Sequence, residues 1–261
     1  MKYFRLTLAQ FRYWFMRIFE FRSEVILWSV NNVIWAMIFV AVVNLMFREV
    51  STIAGWGKTD VLMLMVTQEM FLGILWCATI PSLLMLSATI RTGNLDGYLL
   101  KPVPSQFLVS TMKFEFDNYP RVAAMIIVLW VTLIRNHIYL TLGQIAGYVA
   151  LLVTGLVIFY SIFFLLTTSA FWLTQIFNLE DLFDSMLSVG KYPVYIFDKS
   201  FRFIFLFILP TAYVATFPVE MLRGQAGTER IFLGLALAVI FLIISNRFWL
   251  FALKYYTSAS S

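Results

Sequence analysis

Cysteine and histidine are nearly absent from this chain. Cys77 is its one cysteine and His137 its one histidine. A disulfide framework within the chain is thereby excluded, and so is a zinc centre built from cysteines and histidines. Cys77 falls inside an apolar run, where a small buried side chain is the expected role. No nucleophile elbow and no paired histidine–carboxylate stretch is present, which leaves an enzyme little to work with. Charge is scarce too, at 13% of residues, about half of what a soluble domain carries. No polar block or linker divides the sequence, so residues 1–261 read as one domain. The string Gly55-Trp56-Gly57-Lys58-Thr59 ends like a phosphate-binding loop. The full pattern needs glycine where Thr52 stands, and no strand precedes it. Residues 1–24 are studded with arginine and hold no short apolar core ending in a small-residue cleavage site, so they do not read as a cleavable signal.

What fills the chain instead is hydrocarbon, with 61% hydrophobic residues. Crossing a bilayer core takes roughly 20 apolar residues in a helix. Val25–Phe47, Val61–Ile90 and Ile231–Ala252 have that length, and so do Gly143–Phe171 and Val122–Ile134 with its flanks. A sixth segment lies between Leu179 and Pro218. Barrel strands alternate apolar and polar, whereas Ala146–Phe171 is apolar almost throughout. The expected fold is all-α: a polytopic bundle of six transmembrane helices, preceded by an amphipathic helix lying on the membrane.

The net charge of +5 is explained by topology rather than by nucleic acid. Lys2, Arg5, Arg12, Arg17 and Arg22 precede the first span. Arg91, Lys101, Lys113 and Arg121 lie between the second and third, and Arg247 and Lys254 follow the last. The other side carries fewer: Arg48, Lys58, Arg135, Arg223 and Arg230. That bias predicts a multi-pass protein of the cytoplasmic membrane with both termini in the cytoplasm. In residues 1–24, Phe4, Leu8, Phe11, Phe15 and Ile18 share one helical face, with Lys2, Arg5, Arg12, Arg17 and Glu20 around much of the other. Such a helix suits an anionic leaflet surface.

Polar residues inside the spans are few: Asn31, Asn32 and Asn44 in the first, Gln68 and Glu69 in the second. Glu69 lies about 12 Å along its helix, so it must face protein or water rather than lipid. A structural bond to another helix is the simpler role for it, proton coupling the sharper one. Pro81 is expected to bend the second span. Gly143, Gly147 and Gly155 fall in register on one face of the fourth, where small residues let helix backbones approach closely.

Residues 173–230 admit two layouts. Phe201–Pro218 is itself the fifth span, or Leu179–Phe197 crosses and Phe201–Pro218 is a proline-broken hairpin re-entering from the outer side. Pro210 and Pro218 within one apolar stretch favour the hairpin.

The segment between the second and third spans is the informative loop. Arg91-Thr92-Gly93-Asn94-Leu95-Asp96-Gly97-Tyr98-Leu99-Leu100-Lys101-Pro102-Val103-Pro104-Ser105 opens with a glycine break, forms about two helical turns and stops at Pro102. Leu95, Leu99 and Leu100 are expected to share a face, apart from Asp96 and Lys101. A short apolar-faced helix between two spans suits insertion into a groove on a partner.

Here the chain resembles the permease subunits of ATP-binding-cassette transporters, of the ABC-2 exporter-like family, whose second span is followed by R-x-G-x-L-x-x-L-L-x-x-P-V. Arg91, Gly93, Leu95, the pair Leu99-Leu100 and Val103 carry the likeness. The leucine pair comes one residue later than in the family, Pro102 follows that pair one residue sooner, and Thr92 replaces the family's usual glutamate. The tail Pro210…Pro218-Val219-Glu220 resembles that of a divergent subgroup. The resemblance implies that residues 91–107, and Arg91, Gly93, Asn94, Leu95, Asp96, Tyr98, Leu99, Leu100, Lys101 and Pro102 in particular, form a coupling segment docking on a separate ATPase. It implies that residues 179–223, with Pro193, Pro210, Pro218 and Glu220, add an extracellular gate. ATP and Mg²⁺ would sit on the partner ATPase and no cofactor on this chain. A second permease chain, identical or paralogous, would complete the path through the lipid bilayer. An aromatic content of 18% suits a hydrophobic or lipid-like cargo. The rival readings are a secondary transporter or channel with Glu69 essential, and a membrane-embedded assembly factor using Glu180, Asp181 and Asp184.

Overall fold

Long stretches of branched and aromatic side chains placed in hydrocarbon leave the backbone one way to satisfy its polar groups within the segment, the α-helix. In the computed structural model, which describes residues 2–20, 22–173 and 178–256, nearly everything is helical. The one β feature among the described residues is an isolated bridge between Ile53 and Trp56. In chain order the helices are α1 (Lys2–Glu20), α2 (Arg22–Glu49), α3 (Lys58–Ala78), α4 (Ile80–Arg91), α5 (Asp96–Leu99), α6 (Ser105–Ser110), α7 (Tyr119–Arg135), α8 (Leu142–Thr168), α9 (Leu179–Ser188), α10 (Lys199–Phe203), α11 (Thr216–Leu222) and α12 (Glu229–Ala252). Four helical stretches among the described residues are long and apolar enough to cross a membrane: Ser23–Glu49, Lys58–Ala78, Leu142–Phe171 and Glu229–Tyr255.

Three expectations are altered. The run Val61–Ile90 is two helices, divided at Thr79. Pro81 lies in the first turn of α4, where its missing N–H is one that the helix start leaves unpaired anyway. The helix over Val122–Ile134 is present as α7, with Pro120 in its first turn, but it has only 17 residues. Its expected flank is not helical. Residues 112–118 are instead tied across to the α3–α4 break: Glu115 N–H donates to the Cys77 carbonyl at 3.0 Å, and Ser82 Oγ bonds the Lys113 backbone in both directions at 2.8 and 3.0 Å. Finally, residues 179–222 contain no span-length helix. They run as α9, short 3₁₀ turns, α10, a π-helical turn over Ile204–Ile208 and α11. Pro193 and Pro210 each precede a 3₁₀ turn. Neither continuous layout of the fifth span is therefore seen in this stretch.

α8 occupies the centre, packing along α12 and against α11 and α4, while α3 packs along α7 and α2 lies against α7 and α3. Two of the three in-register glycines make the close approaches expected of them. A Cβ on Gly147 would meet the Met221 side chain of α11, and one on Gly155 would meet the Tyr213 carbonyl oxygen at 2.6 Å. Gly143 does not join them. It sits in the exposed first turn of α8 with no neighbour nearer than Thr141 Oγ1 at 3.9 Å. Residues 210–222 are buried throughout. By contrast α2 buries only Ala36 and Val43 among its apolar residues and exposes Trp35 and many aliphatic side chains, the surface a helix presents to lipid.

α1 is a helix, as its pattern predicts. Its aromatic residues pack on the non-helical stretch before α7: Phe11 meets Phe114 and Phe116, Phe15 meets Phe116, and Trp14 Nε1 donates to the Met112 carbonyl at 3.0 Å. Leu8 remains largely exposed. The side chains of Phe4 and Ile18 lie outside the described residues.

Candidate functional site

The segment following α4 is shaped by one glycine. Gly93 adopts φ +69°, a left-handed conformation that side chains resist. It ends α4, lets the Asn94 N–H reach back to the Thr89 carbonyl at 3.1 Å, and turns the chain into α5. Asn94 Nδ2 then donates to Thr92 Oγ1 at 3.0 Å.

The leucines of this segment do not share a face. Leu95 is fully buried in the chain's own core, and Leu99 and Tyr98 are half-buried against it. Leu100 alone is turned out, 85% exposed. The reason is length: α5 has four residues, so Leu95 and Leu100 fall on either side of a single turn instead of on one stripe of a longer helix. The outward surface consists of Arg91, Thr92, Asn94, Gly97, Leu100, Lys101, Pro102 and Pro104. The Lys101 ammonium stands 5.2 Å from the centre of the Tyr98 ring. Asp96 is half-buried.

Beyond Pro104 the segment is anchored. Trp249 Nε1 of α12 donates to Ser105 Oγ at 2.9 Å, and Asn246 Nδ2 donates to Gln106 Oε1 at 2.6 Å. Gln106 Nε2 in turn donates to Tyr160 Oη of α8 at 3.2 Å and to Ser245 Oγ at 3.4 Å. Ser110 Oγ and Tyr160 Oη lie 2.7 Å apart. Tyr256 Oη donates to the Gly93 carbonyl at 2.7 Å. Its phenol is pushed above the usual range, first by desolvation and then by the Asp96 carboxylate, so it keeps the proton it donates. This polar ladder ties one end of the loop to α12 and α8 and the other to Tyr256, just past the end of α12. Sequence reading missed Asn246 and Trp249, and took in Gln106 only as part of residues 91–107. Polar residues within an otherwise apolar helix, such as Ser245 and Asn246, were the available signal.

A second cluster lies at the other end of α3 and α12. Glu220 of α11 is buried and ion-paired with Arg230, while the Glu220 carbonyl accepts the N–H groups of Gln225 and Ala226 at 2.8 and 3.2 Å. The Arg230 guanidinium also stands over the Phe217 ring at 4.6 Å. Arg223 pairs with Asp60 at 3.0 Å and lies over Trp56. Pro193, Pro210 and Pro218 are all buried, with Val194 N–H donating to Thr216 Oγ1 at 3.3 Å. These residues lash the 211–230 stretch to α3 and α12.

The intramembrane polar residues separate. Glu69 pairs with Arg121, whose Nε donates at 3.1 Å. Arg121 was expected as a loop cation. It sits instead at the start of α7, level with Gly73, because the non-helical stretch before it takes up part of the depth of α4. Asn32 Nδ2 donates to the Asp117 carbonyl at 3.0 Å, and Asn31 is half-buried. Thr67 and Tyr148 bond each other at 3.1 Å. The Gln68 amide is buried without a hydrogen-bond partner among the described residues.

Against known proteins, residues 32–260 match the family model described as "ABC-2 family transporter protein". The chain belongs to this family. No curated protein and no solved structure matches it. It is thus a multi-pass membrane permease of the ABC-2 type, and the match covers both the loop after α4 and the 211–230 clamp.

Proposed function

We propose that this permease is driven by separate ATPase subunits that dock on the 91–104 segment, and that it exports a hydrophobic cargo by alternating access together with a second permease chain. In this reading both termini and the segment face the cytoplasm, α7 and the broken stretch 179–222 complete six crossings, and residues 210–223 with the Glu220–Arg230 pair form the outer gate. ATP and Mg²⁺ belong to the partner. One observation carries the docking claim. Leu100 is presented at 85% exposure on a turn whose two flanks are hydrogen-bonded, at Gly93 to Tyr256 and at Ser105 and Gln106 to α12 and α8, and an isolated apolar residue on a turn anchored on both sides suits a partner's cleft. The engagement of Glu69 by Arg121 weighs against a free, ion-coupling carboxylate.

The experiment follows from the split among the leucines. In Leu100→Asp, the fold is expected to survive and copurification of the ATPase to fall at least about tenfold, the effect of losing one central contact of more than about 1.4 kcal/mol. Leu95→Asp is expected to lose folded permease altogether, because it buries an unpaired carboxylate. Unchanged ATPase association in folded Leu100→Asp would remove the docking claim.

A further inference from the structure

A cavity of about 610 Å³ opens beside α1 and the first turns of α2. Its volume lies within the usual range of small-molecule sites, ~300–1,000 Å³. Three indoles, Trp14, Trp28 and Trp76, line it together with Phe114 and Phe116. Four acidic residues line the same space, Glu24, Glu115, Asp117 and Glu180, against the one cationic residue Lys113 among the described residues. Lys113 is taken by Glu115 at 2.5 Å. Among the described residues no cation pairs with Glu24, Asp117 or Glu180.

We infer that this cavity binds lipophilic organic cations: monovalent, aromatic-bearing amphiphiles, which are then the cargo class of the permease. The wall supplies both parts of such recognition. Tryptophan faces attract a delocalised cation and bury its hydrocarbon, and the surplus carboxylates lower the potential within the cavity while repelling anions of the same shape. Its construction keeps these groups in place. Trp14 is fixed by its bond to Met112, and Trp76 Nε1 donates to Asp184 of α9 at 3.3 Å. Asn32 holds the Asp117 backbone. In the topology read above, α1 and the start of α2 lie at the anionic leaflet surface, where an amphiphilic cation concentrates. As a statement about cargo this rests on the permease reading above; as a binding site it does not.

The test uses a pair of probes matched in size and opposite in charge, tetraphenylphosphonium and tetraphenylborate, titrated against the purified chain in lipid nanodiscs. Saturable binding of the cation is expected, with the borate at least about tenfold weaker. Trp28→Ala is expected to weaken cation binding about fivefold. The double variant Glu24→Gln/Glu180→Gln is expected to weaken it about tenfold. Both variants alter exposed positions, so an unchanged Tm verifies their fold. Equal binding of cation and borate to the wild-type chain overturns the inference, and needs no variant. Wild-type affinity in both variants overturns it too, because it reduces uptake to partition into lipid. Copurification of the ATPase, scored on the same preparations, separates the two claims. Charge-selective binding without an associated ATPase leaves the cavity standing and removes the permease mechanism; an associated ATPase without charge selectivity does the reverse.

Discussion

Arg121→Leu is expected to destabilise the permease by about 3–5 kcal/mol, because it strands a buried carboxylate. Glu69 is 9% exposed, and its charge is met by the Arg121 guanidinium. Removing the cation leaves the Glu69 carboxylate unpaired among apolar neighbours, which raises the free energy of the folded bundle. The double variant Glu69→Leu/Arg121→Leu is expected to regain most of that loss, since two apolar residues of fitting volume replace a pair whose desolvation cost nearly offsets its attraction. Unfolding curves of the two single variants and the double variant, read as a mutant cycle, give the coupling directly. Additive single effects would mean that the pair contributes nothing jointly. The partly exposed Asp60–Arg223 pair is the contrast: its side chains are 19% and 22% exposed, and its removal is expected to cost about 1 kcal/mol or less.

The same pair shows how much the chain discloses before it is folded. Apolar length alone located α2, α3, α8 and α12, because a run of some twenty hydrocarbon side chains has few alternatives to a helix. Glu69 was legible as a residue in need of a partner. Its partner was not, because Arg121 precedes an apolar run and reads like any loop cation. Only the non-helical path of residues 112–118, held by Glu115 on Cys77 and by Lys113 on Ser82, carries it to the depth of Glu69. The loop after α4 was found from its glycine, its leucines and its proline. Which leucine faces outward was not, since the direction of a single helical turn is set by its anchors. Those anchors, Trp249, Asn246 and Tyr256, are more than a hundred residues away in sequence. In residues 179–222 the prolines announced a broken path. The order of breaks, with 210–222 buried against α8 and α3, depends on packing that no local pattern encodes.

The glycines of α8 give the second large effect, and a graded one. At Gly155 an added Cβ would stand 2.6 Å from the Tyr213 carbonyl oxygen and 3.0 Å from a Phe71 ring carbon. The first is backbone and cannot rotate aside, so α8 and the 211–213 turn must separate. Gly155→Ala is therefore expected to cost about 1–3 kcal/mol and Gly155→Val more. At Gly147 the obstruction is the end of the Met221 side chain, at 2.8–2.9 Å, and methionine has three rotatable bonds with which to move away. Gly147→Ala is expected to cost less than half as much. At Gly143 an added Cβ makes only an ordinary contact, 3.9 Å from Thr141 Oγ1, and alanine there gains helix propensity of up to about 1 kcal/mol, so Gly143→Ala is expected to be neutral or stabilising. Thermal unfolding of the three alanine variants in one detergent should rank them with Gly155 lowest and Gly143 highest. An equal loss at Gly143 and Gly155 would mean that α8 uses this stripe against something other than the 211–222 stretch, and the buried position of that stretch would then be wrong. The expected ranking would instead fix Tyr213 between α8 and α12, where Gly234 also allows its ring to approach, so that any movement of α12 is passed to the buried stretch that the Glu220–Arg230 pair ties to it.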